Sequence, residues 1–135
     1  MSEILVDNLT GKTSAGSITV TSEGGAATQS LQQGLAKAWM TENGDGSAVN
    51  DSLNTASLTD NSVGNFTQNY TASFNNAYYS WTGQQEHTFP STGAIIAHVD
   101  SGKTTSATLF YTYASGNGGF TDTGENCTQV TGDLA

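Results

Sequence analysis

The sequence predicts an all-β fold: a β-sandwich-like, jelly-roll-like domain preceded by an extended N-terminal arm. Two observations carry this prediction. Short segments in which apolar and polar residues alternate recur roughly every 8 to 15 residues. Turn-forming pairs, such as Asn43-Gly44 and Asp45-Gly46, separate them. The chain has 135 residues, which fits one domain with an additional arm, and we place the arm at residues 1–28 and the β domain at residues 29–135.

The composition indicates a folded chain with a thin core. Apolar residues make up only 35% of the chain, and charged residues only 11%. Thr, Val and Ile recur in alternation, as they do in β-strands, and this separates the chain from disordered sequences. A monomer of this composition therefore buries little apolar surface for its size.

The charge of the chain argues against two classes of partner. Twelve acidic residues stand against three lysines, there is no arginine, and the net charge is −9. Nucleic-acid binding requires cations that replace the counterions of the phosphates. Adhesion to an anionic membrane surface is disfavoured for the same reason, because the chain offers few cations. No segment has the roughly 18 apolar residues of a membrane-spanning helix, and residues 1–12 lack the features of a signal peptide. We expect synthesis in a cytoplasm, no nucleic-acid binding and no membrane insertion.

The first 28 residues hold two short apolar clusters separated by glycines. Ile4, Leu5 and Val6 form the first cluster, and Ile18 and Val20 form the second. Neither cluster is long enough to build a core, so we interpret the segment as an arm that docks on a sibling subunit or another partner. The alternative is a frayed terminus.

The stretch LQQGLAKAWM admits two structures. Leu31, Leu35, Ala38 and Trp39 lie at helical spacing, whereas alternate residues from Leu31 to Trp39 would share one face of a strand. Gly34 disfavours a helix. We favour a strand from about Gly34 onward, with a short helix before it as the alternative.

Further alternating segments predict the strands of the β domain. The residues that share a face are Val49, Asp51 and Leu53; Phe66, Gln68 and Tyr70; Ala77, Tyr79 and Trp81; Ile95, Ala97 and Val99; and Ala107, Leu109, Tyr111 and Tyr113. In the last segment the opposite face also carries a large side chain, which indicates a strand covered on both sides, by a second sheet or by another subunit. We predict long loops near residues 83–92 and 115–126.

No arrangement of reactive side chains indicates an enzyme. His98 and Asp100 share a strand face, but no serine lies in a nucleophile elbow. His87 and His98 are too few ligands for zinc. Cys127 has no cysteine with which to form an internal disulfide, and we interpret it as a buried or idle thiol, with interchain pairing or a reactive thiol as the alternatives. We expect no catalytic residue.

Four aspartates are the best candidates for calcium ligands. They lie in or beside predicted turns, where carboxylates commonly bond the local backbone, and none belongs to an EF-hand pattern. These residues are Asp45, Asp51, Asp60 and Asp122. We favour the turn role and expect no metal and no cofactor.

An aromatic cluster is the remaining candidate for a binding site. Its members are Tyr78, Tyr79, Trp81, Phe110, Tyr111 and Tyr113. We favour a role in the core or in a subunit interface, and the alternative is a surface that stacks on sugars. The residues predicted to make surface or interface contacts are Tyr79, Trp81, Tyr111 and Tyr113.

Residues 51–80 resemble a segment of tail fibres and other virion appendages of tailed bacteriophages, notably marine ones. Their sequence is DSLNTASLTDNSVGNFTQNYTASFNNAYYS. The matching positions are Asp51, Ser52, Asn54, Ser57, Thr59, Asp60, Gly64, Phe66, Thr67 and Tyr70. The N-terminal stretch through Trp39 and the closing GDLA are similar to the same family, whereas residues 83–131 are not. Ser62 replaces a usual glycine. Gln68 replaces a usual apolar residue, so its amide needs a partner, such as the same residue in a neighbouring chain.

The resemblance implies a non-enzymatic structural protein, located in the virion and made in the cytoplasm of a bacterial host. It also implies a homotrimer, whose subunit contacts would supply the burial that a monomer lacks. We expect a short tail or head fibre that projects from the particle and contacts other virion proteins (capsid, tail or adaptor), with a host surface glycan as a further candidate partner. The alternatives are a capsid decoration protein that stabilises the head and a carbohydrate-binding module.

Overall fold

The computed structural model describes residues 4–12, 18–21, 24–25, 27–86, 94–114 and 119–135. The chain divides into two compact units, residues 1–35 and 36–135. Nearly all regular structure is antiparallel β-strand, which confirms the all-β prediction. The jelly-roll arrangement and the trimer stay predictions. Among the described residues, no helix has the length and apolar character needed to cross a membrane.

The first unit contains a two-stranded sheet and one helical turn. Strand β1 (Thr19–Thr21) pairs with β2 (Thr28–Ser30), and α1 (Leu31–Gly34) follows directly. The strand predicted from Gly34 therefore begins too early, because Gly34 closes the helical turn. Strand β3 starts only at Ala38. Its neighbour in the sheet is strand β10 (Glu125–Thr131), and the pairing of the two strands ends at Ala38.

The second unit consists of two four-stranded antiparallel sheets. The first has the order β4–β3–β10–β7, with β3 (Ala38–Asn43), β4 (Val49–Leu53) and β7 (Ser80–Glu86). The second has the order β5–β6–β9–β8, with β5 (Thr55–Ser62), β6 (Asn65–Tyr70), β8 (Ala94–Lys103) and β9 (Ala107–Ala114). Neither order follows the chain, because β10 inserts between β3 and β7, and β9 inserts between β6 and β8.

Two glycines make the hairpin turns that the sequence predicts. Gly46 (φ 73°) lies between β3 and β4, and Gly64 (φ 62°) lies between β5 and β6, both in the left-handed region that glycine adopts without penalty. The sequence also predicts a turn from Asp60 to Gly64, but the turn in the structure is shorter. Ser62 still pairs with Asn65, so β5 extends to Ser62 and the turn is confined to residues 63–64.

One hydrophobic core lies between the two sheets of the second unit. Both sheets contribute to it, together with Phe74 and Tyr79 from the connection between β6 and β7. Its buried members are Ala38, Met40, Phe66, Tyr70, Phe74, Tyr79, Trp81, Phe110 and Val130. The ring of Phe110 lies 5.6 Å from that of Phe66 and 5.5 Å from that of Trp81, measured between centroids. These aromatic contacts occupy much of the space between the sheets.

The alternation predicted for β6 and β9 is confirmed. In β6 the buried side chains are Phe66, Gln68 and Tyr70, and in β9 they are Thr108, Phe110 and Thr112. Several of these residues are polar, so the core needs internal hydrogen bonds. The Thr108 hydroxyl forms hydrogen bonds with two tyrosine hydroxyls, 2.6 Å from that of Tyr70 and 2.7 Å from that of Tyr79.

Two predicted loops are partly strand. Strand β7 continues through Glu86, so residues 83–86 of the loop predicted at 83–92 belong to a sheet, and β10 begins at Glu125 rather than after residue 126. The two strands pair with each other along their whole length. Their sequences show no apolar alternation over most of that length, so backbone pairing, rather than a hydrophobic pattern, defines them. Residues 87–92 and 115–118 of these loops lie outside the described residues.

Candidate functional site

The apolar side chains of the predicted arm are exposed. The exposed fraction is 82% for Leu5, 81% for Ile4, 55% for Val6 and 51% for Val20, while Ile18 is half-buried. Side chains of this kind normally lie in a core or an interface, and a contiguous exposed apolar segment marks an interaction site.

Two further leucines share this exposure, and the sequence analysis did not single them out. Leu9 is 62% exposed and Leu35 is 54% exposed. The spacing predicts a strand at Leu35, but α1 ends at Gly34 and Leu35 follows it as an exposed residue. The sequence pattern does not show that these two leucines are exposed.

The outward face of the second sheet presents uncharged amide and hydroxyl groups. Asn61 donates a hydrogen bond of 3.0 Å to the Thr67 hydroxyl. Asn69 donates hydrogen bonds of 3.1 Å to the hydroxyls of Ser57 and Thr59. Because these side chains bond one another, the groups are held in place on the surface.

An aromatic cluster adjoins this polar face. Phe120 lies 4.8 Å from the ring of Tyr111 and 5.0 Å from that of Tyr113, and half of its surface is exposed. Tyr111 stands opposite Asn65 in the sheet, so the rings and the amides are neighbours. The structure thus brings the predicted Tyr111 and Tyr113 together. Phe120 was missed because it lies in a glycine-rich stretch predicted to be a loop.

The other two predicted contact residues, Tyr79 and Trp81, are buried. Their exposed fractions are 3% and 9%. The Tyr79 hydroxyl lies 2.7 Å from the Thr108 hydroxyl, and the Trp81 ring packs on Phe110. Both rings therefore lie in the core, one of the two roles favoured for the cluster, and the prediction that they make surface contacts is corrected. Alternation showed that they share a face, but not that this face is the inward one.

The structure also contains a buried carboxylate that the sequence did not indicate. Glu42 of β3 has no exposed surface, and its Oε1 accepts a hydrogen bond of 2.5 Å from Asn126. Its Oε2 accepts no hydrogen bond of good geometry among the described residues. Burial raises the pKa of Glu42 to about 7; the Asn126 hydrogen bond and a weaker interaction with the Gly46 backbone N–H oppose this shift, and the nearby carboxylates Asp45 and Asp122 add to it.

Of the reactive side chains considered in the sequence, the structure describes those of His98 and Cys127. His98 is exposed, and its ring lies 6.4 Å from that of Trp81. His87 and the side chain of Asp100 lie outside the described residues. Cys127 is half-buried, and burial raises the pKa of its thiol, which disfavours the reactive thiolate.

Three of the four candidate calcium ligands accept hydrogen bonds from backbone N–H groups, two of them local and one 58 residues away in the chain. Asp45 accepts a hydrogen bond of 2.9 Å from the Ser47 N–H, and Asp51 accepts one of 2.8 Å from the Ser52 N–H. Asp122 accepts one of 2.8 Å from Gly64 and so ties the β5–β6 turn to the segment before β10. Within the described ranges, no three His, Cys, Asp or Glu side chains are grouped in a way that could hold a metal ion.

Comparisons with models of protein families, with curated proteins and with solved structures found no match to this chain.

Proposed function

We propose that this chain is a non-enzymatic structural protein of a tailed-bacteriophage virion, a short tail or head fibre in which residues 1–28 dock and the β domain projects from the particle. The observation that carries the proposal is the exposure of Ile4, Leu5, Val6 and Val20, so these apolar side chains of the arm are not covered by the described part of the chain. The resemblance of residues 51–80 to virion appendages supports the same function. The chain also assembles as a homotrimer in this proposal.

The second unit suits a projecting domain. Tight turns join β3 to β4 and β5 to β6, buried hydroxyls of Tyr70, Thr108 and Thr128 form hydrogen bonds inside the core, and the whole chain carries a charge of −9. Such a charge favours solubility and disfavours non-specific adhesion to nucleic acid. With only three lysines and no arginine, the chain offers few sites to trypsin-like proteases.

Gold-labelled antibodies against the second unit, applied to intact particles of the phage that encodes the chain, test this function. We expect label at the tail or at discrete positions on the head. We also expect the variant Leu5→Asp to be lost from particles, whereas the control Val63→Asp, an exposed position in the β5–β6 turn, stays in them. Purified particles that lack the chain would contradict the proposal.

Light scattering on the purified protein tests the trimer. A native mass near 42 kDa, three times the chain mass of 14.0 kDa, is the expected result. A native mass of 14.0 kDa, that of a stable monomer, would contradict an obligate trimer. It would favour the alternative of a decoration protein that assembles only on its capsid, for which antibodies would label the whole head.

The three rings of Tyr111, Tyr113 and Phe120 favour a second candidate function, the binding of an uncharged glycan. Tyr111, Tyr113 and Phe120 offer ring faces for stacking beside fixed amide and hydroxyl groups, and the net negative charge opposes anionic sugars. Calorimetry with neutral surface polysaccharides tests this function. Tyr111→Ala and Phe120→Ala should abolish the binding, whereas Tyr78→Ala, an exposed tyrosine 93% accessible, should not. No heat of binding with any neutral polysaccharide would contradict it.

A further inference from the structure

We propose that residues 120–124 act as a pH-sensitive strap at one end of the second unit. The strap is closed while the buried Glu42 carboxyl is protonated, and it opens when that carboxyl ionises. Opening moves Phe120 away from the rings of Tyr111 and Tyr113, on which it packs when the strap is closed. The device belongs to the fold of the second unit and does not depend on the proposed virion function.

Hydrogen bonds tie the strap to several neighbouring segments. Three of its main-chain N–H groups donate to carbonyl groups of other elements: Thr121 to Thr112 at 3.1 Å, Thr123 to Gly44 at 3.0 Å, and Gly124 to Glu86 at 3.3 Å. The Asp122 carboxylate accepts a hydrogen bond of 2.8 Å from the Gly64 N–H. These bonds hold the strap against β9, against the last residue of β7 and against the turns that follow β3 and β5.

The side chains of the strap contribute little burial. None of residues 120–124 is buried; Thr121 and Thr123 are half-buried, and the other three are exposed. A segment with few buried apolar contacts opens locally at a lower free-energy cost than global unfolding. The strap can therefore open while the two sheets stay paired.

The Asn126 side chain connects Glu42 to the strap. Its Nδ2 donates a hydrogen bond of 2.5 Å to the Glu42 Oε1, and its Oδ1 accepts one of 2.8 Å from the Thr123 hydroxyl. Glu42 has no exposed surface, and its Oε2 accepts no hydrogen bond of good geometry among the described residues. An ionised carboxylate in such a place lacks the hydration that it has in water, and opening of the strap admits water to it.

The charges around Glu42 also favour opening. Burial raises the pKa of Glu42 to about 7, and the charges of Asp45 and Asp122 add to the shift. Because Asp122 belongs to the strap, an ionised Glu42 repels the strap itself. The titratable groups on the described elements around Glu42 are Asp45 on the β3–β4 turn, Asp122 on the strap, Glu125 and Cys127 on β10, Asp60 beside Gly46, and Glu86 beside Gly124. All of them are acids or a thiol, so none offsets the negative charge.

The direction of the pH dependence follows from the two protonation states. With the strap open, the Glu42 carboxyl releases its proton near the ordinary pKa of 4.5, whereas with the strap closed it keeps the proton until about 7. Opening is therefore rarest below pH 4.5, becomes more frequent up to about pH 7, and is constant above that. Over this window the opening equilibrium should rise on the order of a hundredfold.

Amide hydrogen exchange of the full-length chain, followed by nuclear magnetic resonance at pH 4.5, 6 and 8, tests the strap. Each rate is divided by the intrinsic rate at that pH to give a protection factor. The reporters are the amides of Thr121 and Thr123. The reference is the Tyr70 amide, which donates a hydrogen bond of 2.8 Å to the Ser106 carbonyl at the other end of β6 and β9. From pH 4.5 to pH 8 we expect the protection of the reporters to fall by about tenfold or more, and at pH 8 to lie at least about tenfold below that of Tyr70.

Two variants identify the carboxyl that is responsible. Glu42→Gln keeps an oxygen for Asn126 but does not ionise, so the protection of the reporters should no longer depend on pH. Glu125→Gln removes a carboxyl from the same strand as Asn126 and is the matched control, in which the fall seen in the parent should persist.

Three results would overturn the proposal: a smaller fall in the parent, equal protection of the reporters and Tyr70, or the full fall in Glu42→Gln. The first two are measured on the unsubstituted chain, so they do not depend on the folding of a variant. Exchange is measured without particles or glycans, so a strap that stays closed leaves both proposed functions standing.

Discussion

The Thr128 hydroxyl of β10 donates a hydrogen bond of 3.0 Å to the amide oxygen of Gln68 in β6, so one buried polar contact joins the two sheets. The Gln68 amide nitrogen in turn donates to the Thr55 hydroxyl at 2.9 Å. Both ends of the amide are therefore satisfied within one chain. The sequence predicted a partner such as Gln68 of a neighbouring chain, and the structure corrects this.

Thr128→Val should lower the free energy of unfolding by about 1 to 3 kcal/mol, because it leaves the buried Gln68 oxygen without a donor at nearly constant volume. Urea unfolding at a fixed pH measures the loss. Thr82→Val, at an exposed position on the neighbouring strand β7, is the matched control and should change stability by less than about 0.5 kcal/mol. Equal effects in the two variants would show that the contact contributes nothing.

Glu42 should make the protein less stable as the pH rises from about 4.5 to about 7. The unfolded chain releases this proton near the ordinary pKa of 4.5, whereas the folded chain holds it until about 7. The group therefore opposes folding increasingly across this window, by about 3 kcal/mol in total, and its effect is constant above it.

Glu42→Gln should remove this dependence, since the amide keeps an oxygen for Asn126 and does not ionise. Unfolding curves at pH 4.5, 6 and 8 measure the difference between variant and parent. We expect the variant to gain stability over the parent mainly at pH 8. Asp51→Asn, an exposed carboxylate on β4, should leave the slope of stability with pH unchanged. Parallel curves for Glu42→Gln and the parent would contradict the prediction.

Phe110→Ala should destabilise the second unit by about 3 to 5 kcal/mol, because it opens a cavity between the rings of Phe66 and Trp81. Phe120→Ala removes the same side chain at a half-exposed position and should cost less than half as much. Thermal and urea unfolding, followed by near-ultraviolet circular dichroism, measure both variants. A larger loss of stability in Phe120→Ala would mean that the rings of Tyr111, Tyr113 and Phe120, and not the space between the sheets, form the main core.

Gly64→Ala should destabilise the β5–β6 turn for two reasons. The backbone at Gly64 has a φ of 62°, and a Cβ there would lie 2.6 Å from the Thr121 nitrogen and 2.7 Å from the Thr112 oxygen. Because both are backbone atoms, the strain cannot be relieved by a rotamer change, and we expect a loss above about 1 kcal/mol. Gly119→Ala, with nothing within 4 Å of the added carbon, should be neutral in the same unfolding assay. Neutral behaviour at Gly64 would contradict the turn geometry.

Much of the fold is predictable from local pattern. The alternation of Phe66, Gln68 and Tyr70 and the turn glycines Gly46 and Gly64 determine the hairpins of the second unit, because side-chain period and backbone handedness are local properties. The apolar arm residues are visible in the same way. Strands β7 and β10 were only partly found, because their pairing with each other, and not an apolar pattern, defines most of their length.

The sequence by itself determined that the chain is β-rich, polar and strongly acidic, and which residues share a strand face. Only the tertiary structure decided which face is inward, and it buried Tyr79, Trp81 and Glu42 while it left Tyr111 partly buried and Phe120 half exposed. The physical reason is that burial depends on which distant strands stack. The insertion of β10 between β3 and β7 places Thr128 against Gln68 and Asn126 against Glu42, partners 60 and 84 residues apart in the chain.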